Sequence, residues 1–210
     1  MPYGFLDIAS TPSVRAAQQA HGSADLWAAG KFDRASDRFT AAEAEFIAAR
    51  DSFYLASVAQ SGWPYVQHRG GPPGFLRLLD EKTLAFADFR GNRQYISLGN
   101  TTANDRVALI MMDYANRRRL KLYARLEVMD LAADPELAAK LALPGYKARP
   151  ERAMVLHLAA FDWNCPQHIT PRYTEAELEE TLLPMRAHLA RLEAENTALR
   201  AKLAALSQGE

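Results

Sequence analysis

One cysteine in 210 residues, Cys165, excludes an intrachain disulfide. The five histidines, at positions 21, 68, 157, 168 and 188, are scattered rather than grouped with cysteine at ligand spacing, so no metal site is expected. Lys+Arg and Asp+Glu both number 25, so no global charge draws the chain to nucleic acid or to a membrane surface. No run approaches the roughly 18 apolar residues of a membrane span. The opening MPYGFLDIAS lacks the basic-then-apolar layout of a secretory leader, so a cytoplasmic location is expected. What is present, 49% hydrophobic and 24% charged residues, suits a soluble protein with one good core.

Residues 1–50 read as a helical segment. Thr11 before Pro12 is a helix start that stops at Gly22, and Thr40 with Glu43 is a capping box opening a helix whose Phe46 and Ile47 face inward. Covering a sheet edge or a neighbouring subunit is the expected task of this segment. From Ser52 the hydrophobic period becomes two. FYLASVA (53–59), a turn at Gln60-Ser61-Gly62 and WPYVQHR (63–69) predict a hairpin. FLRLL, TLAFADF, DRVALIMMDY (105–114), RRLKLYARLEVMD (118–130) and RAMVLHLAAFDW (152–163) follow, with a short helix capped by Asp134-Pro135. Closely spaced antiparallel strands with few long crossovers predict a mainly β, six- to seven-stranded closed or nearly closed barrel over residues 51–173.

Residues 174–210 change pattern again. Leu178, Met185, Leu192, Leu199 and Leu206 recur every seven residues, and Leu182, Leu189, Asn196 and Leu203 fill the alternate seam positions. Leucine-rich d positions with a single Asn at an a position predict a parallel two-stranded coiled coil, in which Glu195 faces Arg200 of the partner. Pro184 interrupts the early part and predicts a start or a kink there.

Three polar clusters come from separate strands: Gln67-His68-Arg69, Asp88-Phe89-Arg90-Gly91-Asn92-Arg93, and Arg117-Arg118-Arg119 with Lys121. In Thr83–Asn100 a buried strand breaks into the turn Phe89–Asn92 and restarts as a helix around Gln94–Leu98, with Arg93 expected in its first turn. A helix start with free amide N–H groups and an arginine beside it cradles phosphate. So much positive charge at strand ends of a neutral protein fits a dianion. Each cluster also has a plainer reading: a solvated arginine edge that blocks strand association, a half-buried His68, a bulged corner at Gly70–Gly74.

The core from about Phe53 to Asp130 resembles the FMN-binding split barrel of the pyridoxamine 5′-phosphate oxidase family. The resemblance lies in Arg69 before a turn, Gly74-Phe75, the strand LAFAD, Asn92-Arg93 at a helix entry, Asn100 at its close, and VALIMMDY leading to RRLKLYARLEV. GWPYVQHRGGPPGFLRLLDEKTLAFADFRGNRQYISLGN and NCPQHITPRY are similar to a branch described only as flavin-nucleotide-binding relatives of that oxidase. The resemblance implies an FMN cofactor bound between the barrels of a homodimer. It puts Gln67, His68 and Arg69 on the strand lining the flavin, Ala87 and Asp88 on the next strand end, and Asn92 and Arg93 at the phosphate. Because Asn92 replaces one of the family's cations, Arg90 or Arg117 is expected to supply the missing charge, and Arg119 falls near a flavin-contacting polar residue.

The chain departs from the oxidase after the last strand. An Arg-rich substrate grip is replaced by Trp163–Tyr173, with Asn164, Gln167, His168 and Arg172 around the two prolines Pro166 and Pro171, so pyridoxal phosphate synthesis is not expected. This loop reads either as a reach to the flavin or as a rigid linker. His68 and His168 are the candidate proton-transfer residues, and Cys165 reads as an inert, partly buried thiol. Two functions follow: an FMN-dependent oxidoreductase with a small-molecule substrate, or a non-catalytic flavin-binding or sensing module whose coil recruits a partner. Haem or a deazaflavin is a third occupant, since related split barrels hold both.

Overall fold

The computed structural model describes residues 4–28, 36–163 and 165–207. Met1–Ile169 forms one compact unit and Thr170–Glu210 a second. The first is built on a seven-stranded antiparallel sheet: β1 (Ser52–Val58), β2 (Pro64–Gly70), β3 (Arg77–Asp80), β4 (Thr83–Phe89), β5 (Arg106–Asp113), β6 (Arg118–Met129) and β7 (Pro150–Trp163). Their order across the sheet is β2-β1-β5-β6-β7-β4-β3. The register runs Phe53↔Arg69 between β1 and β2, and Asp88↔Arg152 between β4 and β7.

Phe53 on β1 and Phe86 on β4 meet edge-to-face at 5.2 Å although three strands separate them in the sheet order, so the sheet curls until its two halves share one core. This is the split barrel, open between its edge strands. Phe75 joins the pair, and Leu55, Met111, Leu120, Leu122 and Met154 complete an interior close to full burial. Each such side chain contributes about 1.5–3 kcal/mol. A second, smaller cluster lies outside the barrel. Helix α5 (Pro135–Leu141) sets Leu137 and Leu141 against Ala85, Ala87, Ala153 and Val155, where small side chains let it approach closely.

The helices are α1 (Phe5–Ala9), α2 (Pro12–Ala20), α3 (Ala41–Ala48), α4 (Ile96–Ala103), α5 (Pro135–Leu141) and α6 (Glu175–Ser207). Thr11 caps α2 and Asp134 caps α5 through the Leu137 amide, as their positions predict. The N-terminal segment does more than cover an edge. Phe46 and Ile47 of α3 are part of the barrel core, and Phe5 stacks on Tyr123 at 4.6 Å. Residues 29–35, within that segment, lie outside the described residues. No described helix is long and apolar enough to cross a membrane.

Glu43 fastens α3 to the last strand. Its carboxylate accepts from the Thr40 amide at 2.9 Å and from Trp163 Nε1 at 2.6 Å. Burial alone would raise this carboxyl, but hydrogen bonds from the Thr40 hydroxyl, the Trp163 indole and the Thr40 amide outweigh it and hold Glu43 below its ordinary 4.5. A depressed folded value adds stability that is complete above the unfolded pKa and is lost as pH falls through the folded one. Glu43→Gln should therefore cost about 1–2 kcal/mol at neutral pH, and the gap to the parent should close on acidification below pH 4.5 in paired thermal melts. A gap that stays constant into acid would contradict this.

Two expectations are corrected at α4. The helix begins at Ile96 rather than near Gln94, so Arg93 stands before it and not in its first turn; Asn100 lies inside the helix, which runs on to Ala103. Arg93 (φ 63°) and Tyr95 (φ 52°) are both left-handed, and that reversal delays the helix.

Candidate anion-binding groove

The end of β4, strand β2 and the entry to α4 enclose a groove of about 250 Å³ lined by Gln67, Arg69, Asp88, Asn92, Arg93 and Ser97 among others. Alternation along β2 selects its contribution: Gln67 and Arg69 share one face, while His68 points to the other and packs edge-on against Tyr54 at 5.5 Å. Gln67 Oε1 accepts from Ser97 Oγ at 2.8 Å, tying the strand to the first turn of α4. Asn100 Nδ2 donates to Ser57 Oγ at 3.0 Å in a buried contact, which pins the same helix to β1.

Asp88 organises the charged floor. Its carboxylate, 8% exposed, takes Arg69 on one oxygen and Arg152 Nη1 at 2.7 Å on the other. Arg152 also reaches Glu151 at 2.9 Å and lies over the Tyr95 ring at 5.0 Å. Burial works to lower the Arg152 pKa, yet its contacts with Asp88, Tyr95 and Glu151 outweigh that and raise it. Tyr95 Oη donates to Glu151 at 3.1 Å, and Arg90 approaches the same carboxylate at 3.7 Å. Two hydrogen-bond donors remain available. Among the described residues, Arg69 Nε is buried with no hydrogen-bond partner, and Arg93 has no ion-pair partner. Arg69 and Arg93 line the groove with Asp88 and Glu151, and Arg90 and Arg152 engage those two carboxylates from beside it, so the cluster as a whole sets four arginines against two carboxylates, an excess that matches a dianion. The left-handed backbone at Arg93 and Tyr95 is the kind of local strain that folds keep where a ligand is gripped.

The structure brings Gln67, Arg69, Asp88, Asn92 and Arg93 together around this groove, with Arg90 at its edge. Ala87 turns its side chain into the cluster under α5. Arg117, at φ 53°, occupies the exposed β5–β6 turn, and its neighbour Arg118 lies over Trp163 at 4.6 Å and Phe46 at 5.3 Å. Arg119 pairs with Met112 in the β5–β6 ladder and is not a lining residue of the groove. Gln167 and His168 form an exposed turn in which His168 has φ 62°, and Arg172 is exposed in the second unit. Asn164 lies outside the described residues. Cys165 is exposed, contrary to the partly buried position expected of it, because the chain has left the sheet before it. Among the described residues no group of three or more His, Cys, Asp or Glu is placed to hold a metal.

Ser97, Tyr95, Glu151 and Arg152 were not anticipated at the site. Ser97 and Tyr95 had a signal, since both follow Arg93 within one turn of the helix entry. Glu151 and Arg152 had none, because only the β4–β7 register brings them beside Asp88.

Residues 39–162 match the family model described as pyridoxamine 5′-phosphate oxidase. Among solved structures, a protein provisionally described as a pyridoxamine 5′-phosphate oxidase from Lactobacillus delbrueckii is 20% identical, with 60% of this chain and 95% of that one covered at a TM-score of 0.46. HupZ from Group A Streptococcus is 14% identical over 64% of this chain and 100% of its own, at a TM-score of 0.45. An FMN-binding protein from Syntrophomonas wolfei is 15% identical over 57% of this chain and 81% of its own, at 0.42. Among curated proteins, none matches the sequence.

Proposed function

Since the chain belongs to the pyridoxamine 5′-phosphate oxidase family, we propose that it is an FMN-binding flavoprotein that acts as an oxidoreductase on a small molecule, as a homodimer. The observation that carries this reading is the groove at Arg69, Asp88 and Arg93, with Arg90 and Arg152 pairing with its carboxylates from beside it and, among the described residues, an unpartnered buried Arg69 Nε. These residues fit the phosphate end of FMN. Arg93 supplies a cation with no competing carboxylate, Ser97 and Asn92 supply neutral polar groups, and Asp88 holds Arg69 in place without cancelling the net charge. Gln67, whose oxygen is taken by Ser97, keeps its amide N–H donors for a ligand. When bound, the flavin supplies the hydride or electron chemistry; this chain binds and orients it.

The homodimer reading is supported by the outer face of the β1–β2 hairpin. Tyr54, Val58 and Val66 share that face and Trp63 stands at its turn, exposed by 40%, 39%, 60% and 76%. A contiguous apolar patch of this kind on an edge hairpin is a surface for another protein. His68 lies on this same face, turned away from the chain's own groove.

A second reading, a flavin-binding module without turnover, is favoured by one observation: neither His68 nor His168 lines the chain's own groove. Anaerobic mixing of the FMN-loaded protein with NADH or NADPH separates the two. Bleaching of the flavin absorbance is expected of the oxidoreductase. Flavin that is held through gel filtration yet never reduced by either donor would overturn that assignment and leave the module.

A further inference from the structure

We propose that α6 pairs with α6 of a second copy of this chain as a parallel, in-register coiled coil. This interface is independent of the flavin groove. The helix runs unbroken from Glu175 to Ser207, which at 1.5 Å per residue is about 50 Å. Its start is well fixed: Thr174 N donates to Glu177 at 2.7 Å, and the Glu177 amide returns a bond to Thr174 Oγ1. Pro184 does not end it. Proline here removes one amide bond, and at a c position it faces outward from the seam.

Such a helix gains little from its own backbone in water and takes its stability from burying a face. The described d and a residues Leu178, Met185, Leu189, Leu192, Leu199 and Leu203 are nevertheless 44–67% exposed in the single chain. Only Leu182 is half-buried, and the side chain of Leu206 lies outside the described ones. The seam is narrow, two positions in seven, which is the width of a coiled-coil partner rather than of a globular core.

Charge and polarity choose the partner and its direction. In the parallel register the g residue His188 meets Glu193 at e of the other copy, and Glu195 meets Arg200. Asn196 then faces Asn196 of the second copy, where the two amides hydrogen-bond each other. In an antiparallel pair an a position faces d residues, so the Asn196 amide would be buried against leucine without a partner, at a cost of about 1–3 kcal/mol. Glu195 approaches Arg191 at 3.7 Å on the exposed surface of the single chain, a contact weak enough to exchange.

The test uses the full chain with Cys165→Ser, so that the exposed native thiol cannot react. Asn196→Cys and Leu189→Cys, both at a positions, are oxidised in air and run on a non-reducing gel, with Ala194→Cys at the outward f position as control. Both a-position variants are expected to convert to covalent dimers while the control stays monomeric on the gel. An antiparallel pair brings at most one a position onto its own copy, so crosslinking of only one variant would overturn the proposal. Crosslinking of neither, as for an isolated helix or one docked elsewhere, would overturn it too. FMN content measured on the same samples reports separately on the groove.

Discussion

Replacing Asp88 with alanine is expected to destabilise the protein by about 3–5 kcal/mol, the largest effect of any single change at the groove. Asp88 is 8% exposed and the two guanidinium groups it holds are 15% and 17% exposed, so all three charges have left bulk water together. Removing the one anion leaves two cations desolvated and adjacent, and each must be rehydrated by moving the strand that carries it. β2 and β4 are on opposite sides of the sheet order, and β7 is the strand that pairs with β4. The Arg69–Asp88–Arg152 contact therefore links β2, far from β4 in sheet order, to the β4–β7 pair, and its loss loosens the closure of the barrel. At about 2–4 °C per kcal/mol for a chain of this size, a drop on the order of 10 °C is expected in thermal unfolding. Asp88→Asn keeps two polar atoms in the same place and should fall between the parent and the alanine variant. A melting temperature unchanged by Asp88→Ala would show that the three-residue contact does not hold the barrel.

Arg93→Gly is expected to weaken FMN binding about 10- to 150-fold, corresponding to the loss of charge-assisted bonds worth roughly 1.5–3 kcal/mol. The same variant should not lose stability. Arg93 has a φ of 63°, where an L side chain is strained and glycine is not, so the backbone should relax by as much as about 1 kcal/mol. This opposite movement of affinity and stability separates a ligand-binding role from a structural one. Arg93→Lys should retain part of the affinity, since a point charge replaces a fork of donors. Isothermal titration with FMN alongside thermal melts reads both quantities. Equal FMN affinity in the parent and Arg93→Gly would remove Arg93 from the site.

The strands were legible as short apolar runs bounded by turn residues, and burial along β5 then alternates between buried and half-buried after the exposed Arg106. Caps were legible where a side chain makes them, at Thr11, Thr40 and Asp134. The entry to α4 was not, because its N-cap is Tyr95, which makes no side-chain cap bond and turns the chain by a left-handed φ. Propensity gives no warning of a tyrosine or an arginine in that region. The groove was legible as a set of residues near Asn92-Arg93, but the buried charge pair at its floor was not. Asp88 and Arg152 are separated by 64 residues and meet through strand register, which a single sequence encodes only globally. The side on which His68 falls was available from alternation alone, since Gln67 and Arg69 cannot share a face with the residue between them. In the C-terminal segment the heptad pattern was plain, because a helix repeats locally.

The measurement that bears most directly on the central claim is the absorbance spectrum of the purified protein, before and after incubation with FMN and gel filtration. A flavin spectrum that stays with the protein, and that is weakened in Arg93→Gly while folding is retained, is the predicted result. A folded parent protein that is colourless and takes up no FMN would contradict the assignment of the groove.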